Sequence, residues 1–178
     1  MTNQLPIIGK RIETERLTWT ETYLLMAVIT AMRSEDAQTK CGCIITDSEH
    51  TVLSTGFNGI VRGFNAELFP NLRPEKYPFM IHAEMNAILN CARKGHSTLN
   101  STAYISGIPC VDCLQNMVQA GVSQIIYTDY SKISMVTTEE EKQTLNVLKS
   151  ATCIGPMLNN FIPFEKVSPL LVNIVKLT

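Results

Sequence analysis

An excess of charge of one sign is missing from this sequence. Lys and Arg number 15, Asp and Glu 16, and the formal net charge is −1. Proteins that track a nucleic-acid backbone or an anionic membrane carry a basic excess, so neither partner is expected. Long apolar runs are also missing. Nothing approaches the ~20 residues of a membrane helix, and the opening MTNQLPIIGKR lacks the apolar stretch of a secretory leader. A soluble, cytoplasmic chain is therefore expected. Internal repeats and low-complexity tracts are absent, which excludes solenoids and biased tails.

What is present suits one globular domain. The 178 residues are 45% apolar and 17% charged, enough to bury a core. One domain over residues 1–178 is expected, with residues 1–17 as an N-terminal arm. Six cysteines occur: Cys41, Cys43, Cys91, Cys110, Cys113 and Cys153. In a chain outside oxidising compartments these read as metal ligands or buried thiols rather than disulfides.

Patterning predicts strands alternating with helices. Thr20 is expected to cap a helix carrying Tyr23 to Met32. Cys43–Asp47 and Thr51–Phe57 read as strands joined by a polar turn. Gly59 to Pro78, rich in Gly, Pro and Asn, reads as one long loop. HAEMNAILNCARKG reads as a helix ended by Gly95, and Thr102–Ser106 as a strand. Pro109 suits the mouth of a helix over CVDCLQNMVQAG, ended by Gly121. Ser123–Asp129 reads as a strand, Thr138–Ser150 as a helix, and Phe161–Phe164 as a further strand. The tail LLVNIVK reads as a short buried strand or helix edge. Such alternation argues a layered α/β domain.

Two helix starts carry the chemistry. His82-Ala83-Glu84 opens one, and Pro109-Cys110-Val111-Asp112-Cys113 opens the next. His82, Cys110 and Cys113 make a three-ligand zinc set that leaves a fourth position for water. The two cysteines are three apart, so both sulfurs face one way. Glu84 sits beside the set without being needed as a ligand, and a carboxylate there can carry protons. Helix N-termini aimed at the site would favour thiolates. Alone, a C-x-x-C also fits a redox pair or half of a structural zinc site. A structural site needs a fourth protein ligand, and Cys41, Cys43, Cys91, His50 and His96 stand at no characteristic spacing. Cys41 and Cys43 alternate along a strand and read as core thiols.

H-x-E followed by P-C-x-x-C is the signature of zinc deaminases that act on nucleobases. With RSEDAQTKCG from Arg33, TGFNG from Thr55, KYPFMIHAEMNAI from Lys76, IPCVDC from Ile108 and QAGVSQIIYTDY from Gln119, the chain resembles the deoxycytidylate deaminases of the cytidine deaminase-like superfamily. The match runs from about residue 20 to 130 and is weak beyond. The resemblance implies a three-layer α/β/α sandwich around a five-stranded mixed sheet. It also implies one catalytic Zn2+ and a homo-oligomer, commonly a hexamer. The implied reaction is hydrolysis of dCMP to dUMP and ammonia, which supplies thymidylate synthesis.

Within that resemblance, His82, Cys110 and Cys113 fall on the zinc ligands and Glu84 on the proton shuttle. Asn58 falls on the residue that holds the deoxyribose hydroxyl, and the Ala83 N–H where the base is gripped. Arg33 and Ser34 match a pair near the 5′-phosphate, and Tyr130 reaches the nucleotide with Lys132 close by. Plainer roles stand beside these. Arg33 also suits a cation answering a helix C-terminus, Asn58 a turn residue, Tyr130 a packing aromatic, and Lys132 and Lys40 solvated surface. Ile108 stands before the Pro-Cys where many members carry a bulky aromatic or hydroxyl residue. Val61 stands where members regulated by deoxycytidine triphosphate have proline, so Mg2+ with a regulatory triphosphate is left open. No Cys or His lies between Asn58 and Met80, so a second zinc is not expected. The rival readings are a tRNA or free-base deaminase of the same superfamily, or a zinc module without catalysis.

Overall fold

The computed structural model describes residues 16–131, 138–150 and 160–169. The N-terminal arm up to residue 15, Lys132, Cys153 and the LLVNIVK tail lie outside the described residues. Helix α1 spans Trp19–Ala31. Its cap is Thr18 and not the expected Thr20. The Thr18 hydroxyl accepts from the Glu21 N–H at 3.2 Å, and the Glu21 carboxylate accepts from the Thr18 N–H at 2.7 Å. This reciprocal pair satisfies two donors that helix geometry leaves without partners.

Four strands form the main sheet: β1 (Gly42–Thr46), β2 (Val52–Phe57), β5 (Thr102–Ile105) and β6 (Gln124–Tyr127), in the order β2-β1-β5-β6. Strand β1 is antiparallel to both neighbours, and β5 is parallel to β6. The sheet is thus mixed. All five residues of β1 are buried, as expected of a central strand covered on both faces. Cys43 and Ile45 join the core under helices α2 (Ala83–Lys94) and α3 (Val111–Gln119). Ile44 and Tyr104 face α1 with Tyr23, Leu24 and Ala27. Helix α4 covers Glu139–Ser150.

The expected fifth strand is corrected. Among the described residues the sheet has four strands, and Phe161 makes only an isolated parallel bridge to Tyr127. The Ile162 N–H reaches the Tyr127 carbonyl at 2.9 Å. Pro163 then supplies no donor to extend the ladder, and residues 164–169 turn helical. The long loop is also more ordered in its pairing than expected. Its base is closed by a two-stranded ribbon, β3 (Gly59–Ile60) against β4 (Met80–Ile81), with Gly59 opposite Ile81.

Two glycines let helices lie directly on the sheet. A Cβ at Gly42 would sit 2.1 Å from the Ala27 carbonyl oxygen of α1. One at Gly56 would sit 2.2 Å from the Ala83 oxygen and 2.4 Å from the Ala87 nitrogen of α2. Because α2 begins at the candidate site, Gly56 sets where that site lies. Gly56→Ala should push α2 outward at a cost of ~1–3 kcal/mol. The melting temperature should fall by several degrees, and bound metal should fall with it. An unchanged melt and metal content would show that α2 is not seated on β2 in this way.

Candidate active site

Both helix starts are built by residues in extended conformation. His82 is the N-cap of α2 (φ −67°, ψ 156°) and follows β4 directly. Cys110 is the N-cap of α3 (φ −71°, ψ 166°), and its sulfur accepts from the Cys113 N–H at 3.5 Å. The two helices therefore aim their N-termini at one point. His82 Nδ1 lies 3.4 Å from the sulfur of Cys110 and 3.4 Å from that of Cys113. A tetrahedral zinc with bonds of ~2.0–2.3 Å sets its ligand atoms roughly 3.5 Å apart. The trio therefore fits a zinc ion, bound through Nδ1. All three ligand atoms lie within 4.8 Å of one another, and no other His, Cys, Asp or Glu group of this kind occurs among the described residues. His82 is exposed, Cys110 half-buried and Cys113 buried, so the site opens outward on the imidazole side.

Charge within the trio is unevenly held. The Cys110 thiol is pulled down to about 4, chiefly by its hydrogen bond from Cys113, against burial and with help from His82. Cys113 is pushed the other way by that same bond and by burial. His82 is raised to about 9, chiefly by its hydrogen bond to Cys110. Ion uptake requires these protons to leave, so binding releases protons.

Glu84 is the second residue of α2 and only 4% exposed. Burial raises its carboxyl above the ordinary range, while its own backbone N–H and the neighbouring His82 pull it down. A carboxyl raised toward neutrality can both take and give a proton. Cys41 and Cys43 are buried core thiols, and burial pushes Cys41 up to about 12.

The remaining candidates divide. Ala83 is fully buried as the first residue of α2, a position whose N–H has no acceptor within the helix. Arg33 is exposed just past α1, and its guanidinium makes no ion pair among the described residues. Ser34 is buried, and its hydroxyl donates to the Asn58 carbonyl at 2.7 Å. The Asn58 amide is engaged on both ends. Its Oδ1 accepts from the Cys41 N–H at 2.7 Å, and Nδ2 donates to the Thr39 carbonyl at 2.8 Å and Asp36 Oδ2 at 3.2 Å. Tyr130 packs edge-on against Phe164 with centroids 4.9 Å apart. Lys40 Nζ donates to the Ser34 carbonyl. Asp36 and Lys76, which are not among the residues expected at the site, form a buried ion pair next to Asn58. Both stand inside the stretches RSEDAQTKCG and KYPFMIHAEMNAI, the signal that could have singled them out.

The sequence model of the "Cytidine and deoxycytidylate deaminase zinc-binding region" matches residues 17–129. The chain belongs to that family. The His/Cys/Cys group and the family's zinc-binding region together support Zn2+ as the bound ion. Human deoxycytidylate deaminase is 31% identical over 117 residues, 62% of this chain and 65% of that protein. The chain thus spans just under two thirds of that relative's length. A probable deoxycytidylate deaminase of Drosophila melanogaster is 28% identical over 163 residues, 85% of this chain and 76% of the relative. The crystal structure of dCMP deaminase from the cyanophage S-TIM5 in complex with dCMP and dUMP is similar at a TM-score of 0.58. It is 27% identical, and the match covers 71% of this chain and 89% of that one. Among the described residues no helix of this family member is long and apolar enough to cross a membrane.

Proposed function

We propose that this chain is a zinc-dependent deaminase that hydrolyses dCMP to dUMP and ammonia. The observation that carries the reading is a buried carboxyl, Glu84, beside a His/Cys/Cys trio whose 3.4 Å spacings fit a three-ligand zinc. Relatives named as deoxycytidylate deaminases, one of them with dCMP and dUMP bound, support the substrate. When bound, the ion lowers the pKa of water from about 15.7 toward 7 and polarises the reacting centre.

The chain's own residues do the rest. His82, Cys110 and Cys113 hold the ion. Glu84 takes a proton from the attacking water and delivers it to N3 of the pyrimidine while the new C4–O bond forms. It then takes the second proton of that oxygen and passes it to the exocyclic nitrogen. The C4–N4 bond breaks, ammonia leaves, and C4 becomes a carbonyl. The Ala83 N–H grips the base, and Asn58 accepts from the sugar hydroxyl. Ser34, the other half of the pair near the 5′-phosphate, is buried and serves that end of the site through its bond to the Asn58 carbonyl. Arg33, with Lys132 close by, holds the phosphate, whose charge near −2 calls for a cation, and Tyr130 reaches the nucleotide.

On this reading residues 1–178 form one deaminase domain that works in the cytoplasm on a small nucleotide, without nucleic-acid or membrane partners. A homo-oligomer, six copies by family resemblance, would cover the exposed apolar side chains Val61, Phe64, Leu68 and Leu72 of the long excursion. An ammonia-release assay across cytidine, deoxycytidine, dCMP and dCTP, with metal analysis, tests the reading. A second arm adds dCTP with Mg2+ to dCMP, because triphosphate control is its finer part. The expected result is turnover of dCMP with one zinc per chain. Zinc-loaded protein inactive on every one of them would overturn it. Arg33→Ala should raise KM for dCMP by roughly tenfold, the worth of one charge-assisted contact, and leave deoxycytidine turnover unchanged. Equal losses on both substrates would make Arg33 structural.

A further inference from the structure

A carboxylate and an ammonium are enclosed where the long excursion after Gly59 crosses the turn after Ser34. Lys76 Nζ lies 2.6 Å from Asp36 Oδ1 and 2.7 Å from Oδ2. The two side chains are only 2% and 3% exposed. So deeply buried a pair adds little net stability over apolar groups of equal volume, because desolvation of both charges offsets their attraction. Asp36 Oδ1 also accepts from the N–H groups of Gln38 at 2.8 Å and Thr39 at 3.0 Å, and Oδ2 accepts from Asn58 Nδ2 at 3.2 Å.

We infer that Asp36 and Lys76 are positioning residues that fix the side-chain amide of Asn58 as an acceptor for a sugar hydroxyl. This rests on the reading of Asn58 given above. The two ends of an amide have nearly one shape, and only their neighbours distinguish them. An ionised carboxylate solely accepts, so it faces Nδ2. The Cys41 N–H solely donates, so it faces Oδ1. Both Nδ2 protons are committed, to Asp36 and Thr39. Oδ1 has two lone pairs and Cys41 uses one, so the capacity left for a ligand is that of an acceptor. It suits a hydroxyl and rejects a sugar without one. Lys76 keeps Asp36 ionised, and thereby keeps that polarity.

Discrimination between dCMP and 2′,3′-dideoxycytidine monophosphate reads this out. Wild type should prefer dCMP by roughly tenfold in kcat/KM, the net worth of one hydrogen bond. Lys76→Met alone leaves a buried unpaired carboxylate and should lower the melting temperature. Adding Asp36→Asn removes that charge and should restore the melt. It also turns an NH2 toward Asn58 Nδ2, donor against donor, so the Asn58 amide loses its orientation. The double variant should then prefer dCMP by less than about twofold while kcat on dCMP stays near wild type. A merely structural pair would regain its preference along with its stability, and that result overturns the inference.

Asn58→Ala separates the failures. If it too keeps the preference, the sugar-binding reading of Asn58 falls, and the inference with it. If wild type does not turn over dCMP at all, the proposed function falls. The positioning claim is then decided on zinc-loaded wild-type protein by the 15N–1H side-chain signals of Asn58, as it is if the double variant fails to fold. Two exchange-protected protons are expected, and a freely exchanging amide overturns the claim.

Discussion

Glu84→Gln should reduce turnover of dCMP by ~10²–10⁴, the range spanned by a positioned proton carrier, while zinc and nucleotide stay bound. Glutamine keeps the volume and the hydrogen-bonding reach of the carboxyl and loses only the ability to exchange a proton. Glu84 is asked to move protons twice, to the ring nitrogen and to the leaving amine, so the loss should lie at the upper end. The residue is almost fully buried, and a neutral amide is easier to bury than a carboxylate. The fold should therefore survive, and the melting temperature should be equal or higher. Steady-state ammonia release, zinc analysis and dUMP binding on one preparation check all three statements. A rate within tenfold of wild type would remove Glu84 from the proton path.

Cys113→Ala should abolish turnover by removing the ion. Three ligands are the smallest set that a catalytic zinc commonly uses, and alanine leaves one imidazole and one sulfur. Water then keeps its ordinary pKa of about 15.7 and is no nucleophile at neutral pH. The lost packing is small, because only one sulfur atom disappears from the core beside Leu114 and Met117. Most of any fall in melting temperature should instead reflect lost zinc, since a ligand bound solely to the native state stabilises it. The variant should therefore melt where chelator-treated wild type melts. Full zinc content in Cys113→Ala would remove that residue from the ligand set.

The parts of the fold that were legible in the sequence are those with a local cause. Gly95, at φ +72°, ends α2 as its position demands. Cys110 and Cys113 lie in the same first turn of α3 because three residues nearly complete a helical turn. The core strands showed themselves through their apolar runs. Elements without a periodic signal were not legible. β3 and β4 have two residues each, too few for alternation to register, so the ribbon looked like loop. The late start of the apolar pattern points to Thr20, although the Glu21 three residues after Thr18 marks a capping box. Phe161–Phe164 has strand composition, yet Pro163 stops the pairing after one bridge.

Within the site, the trio and Glu84 are brought together by helix starts that each carry a compact motif. The Asp36–Lys76 pair could not be read the same way. The two residues are 40 apart, and a lone charge in a mixed loop looks like solvated surface. Only the crossing of the long excursion over the turn after Ser34 buries both. Asn58 shows the same limit. Its motif suggested a ligand contact, and the structure adds that its amide is already held by Cys41, Thr39 and Asp36.

The most direct test is anomalous diffraction at the zinc edge from crystals of the zinc-loaded protein with dUMP. A single strong peak is predicted at ~2.0–2.3 Å from His82 Nδ1 and the sulfurs of Cys110 and Cys113, with the Glu84 carboxyl beside it but unbonded. A fourth protein ligand on that peak, or a peak away from these three atoms, would contradict the account.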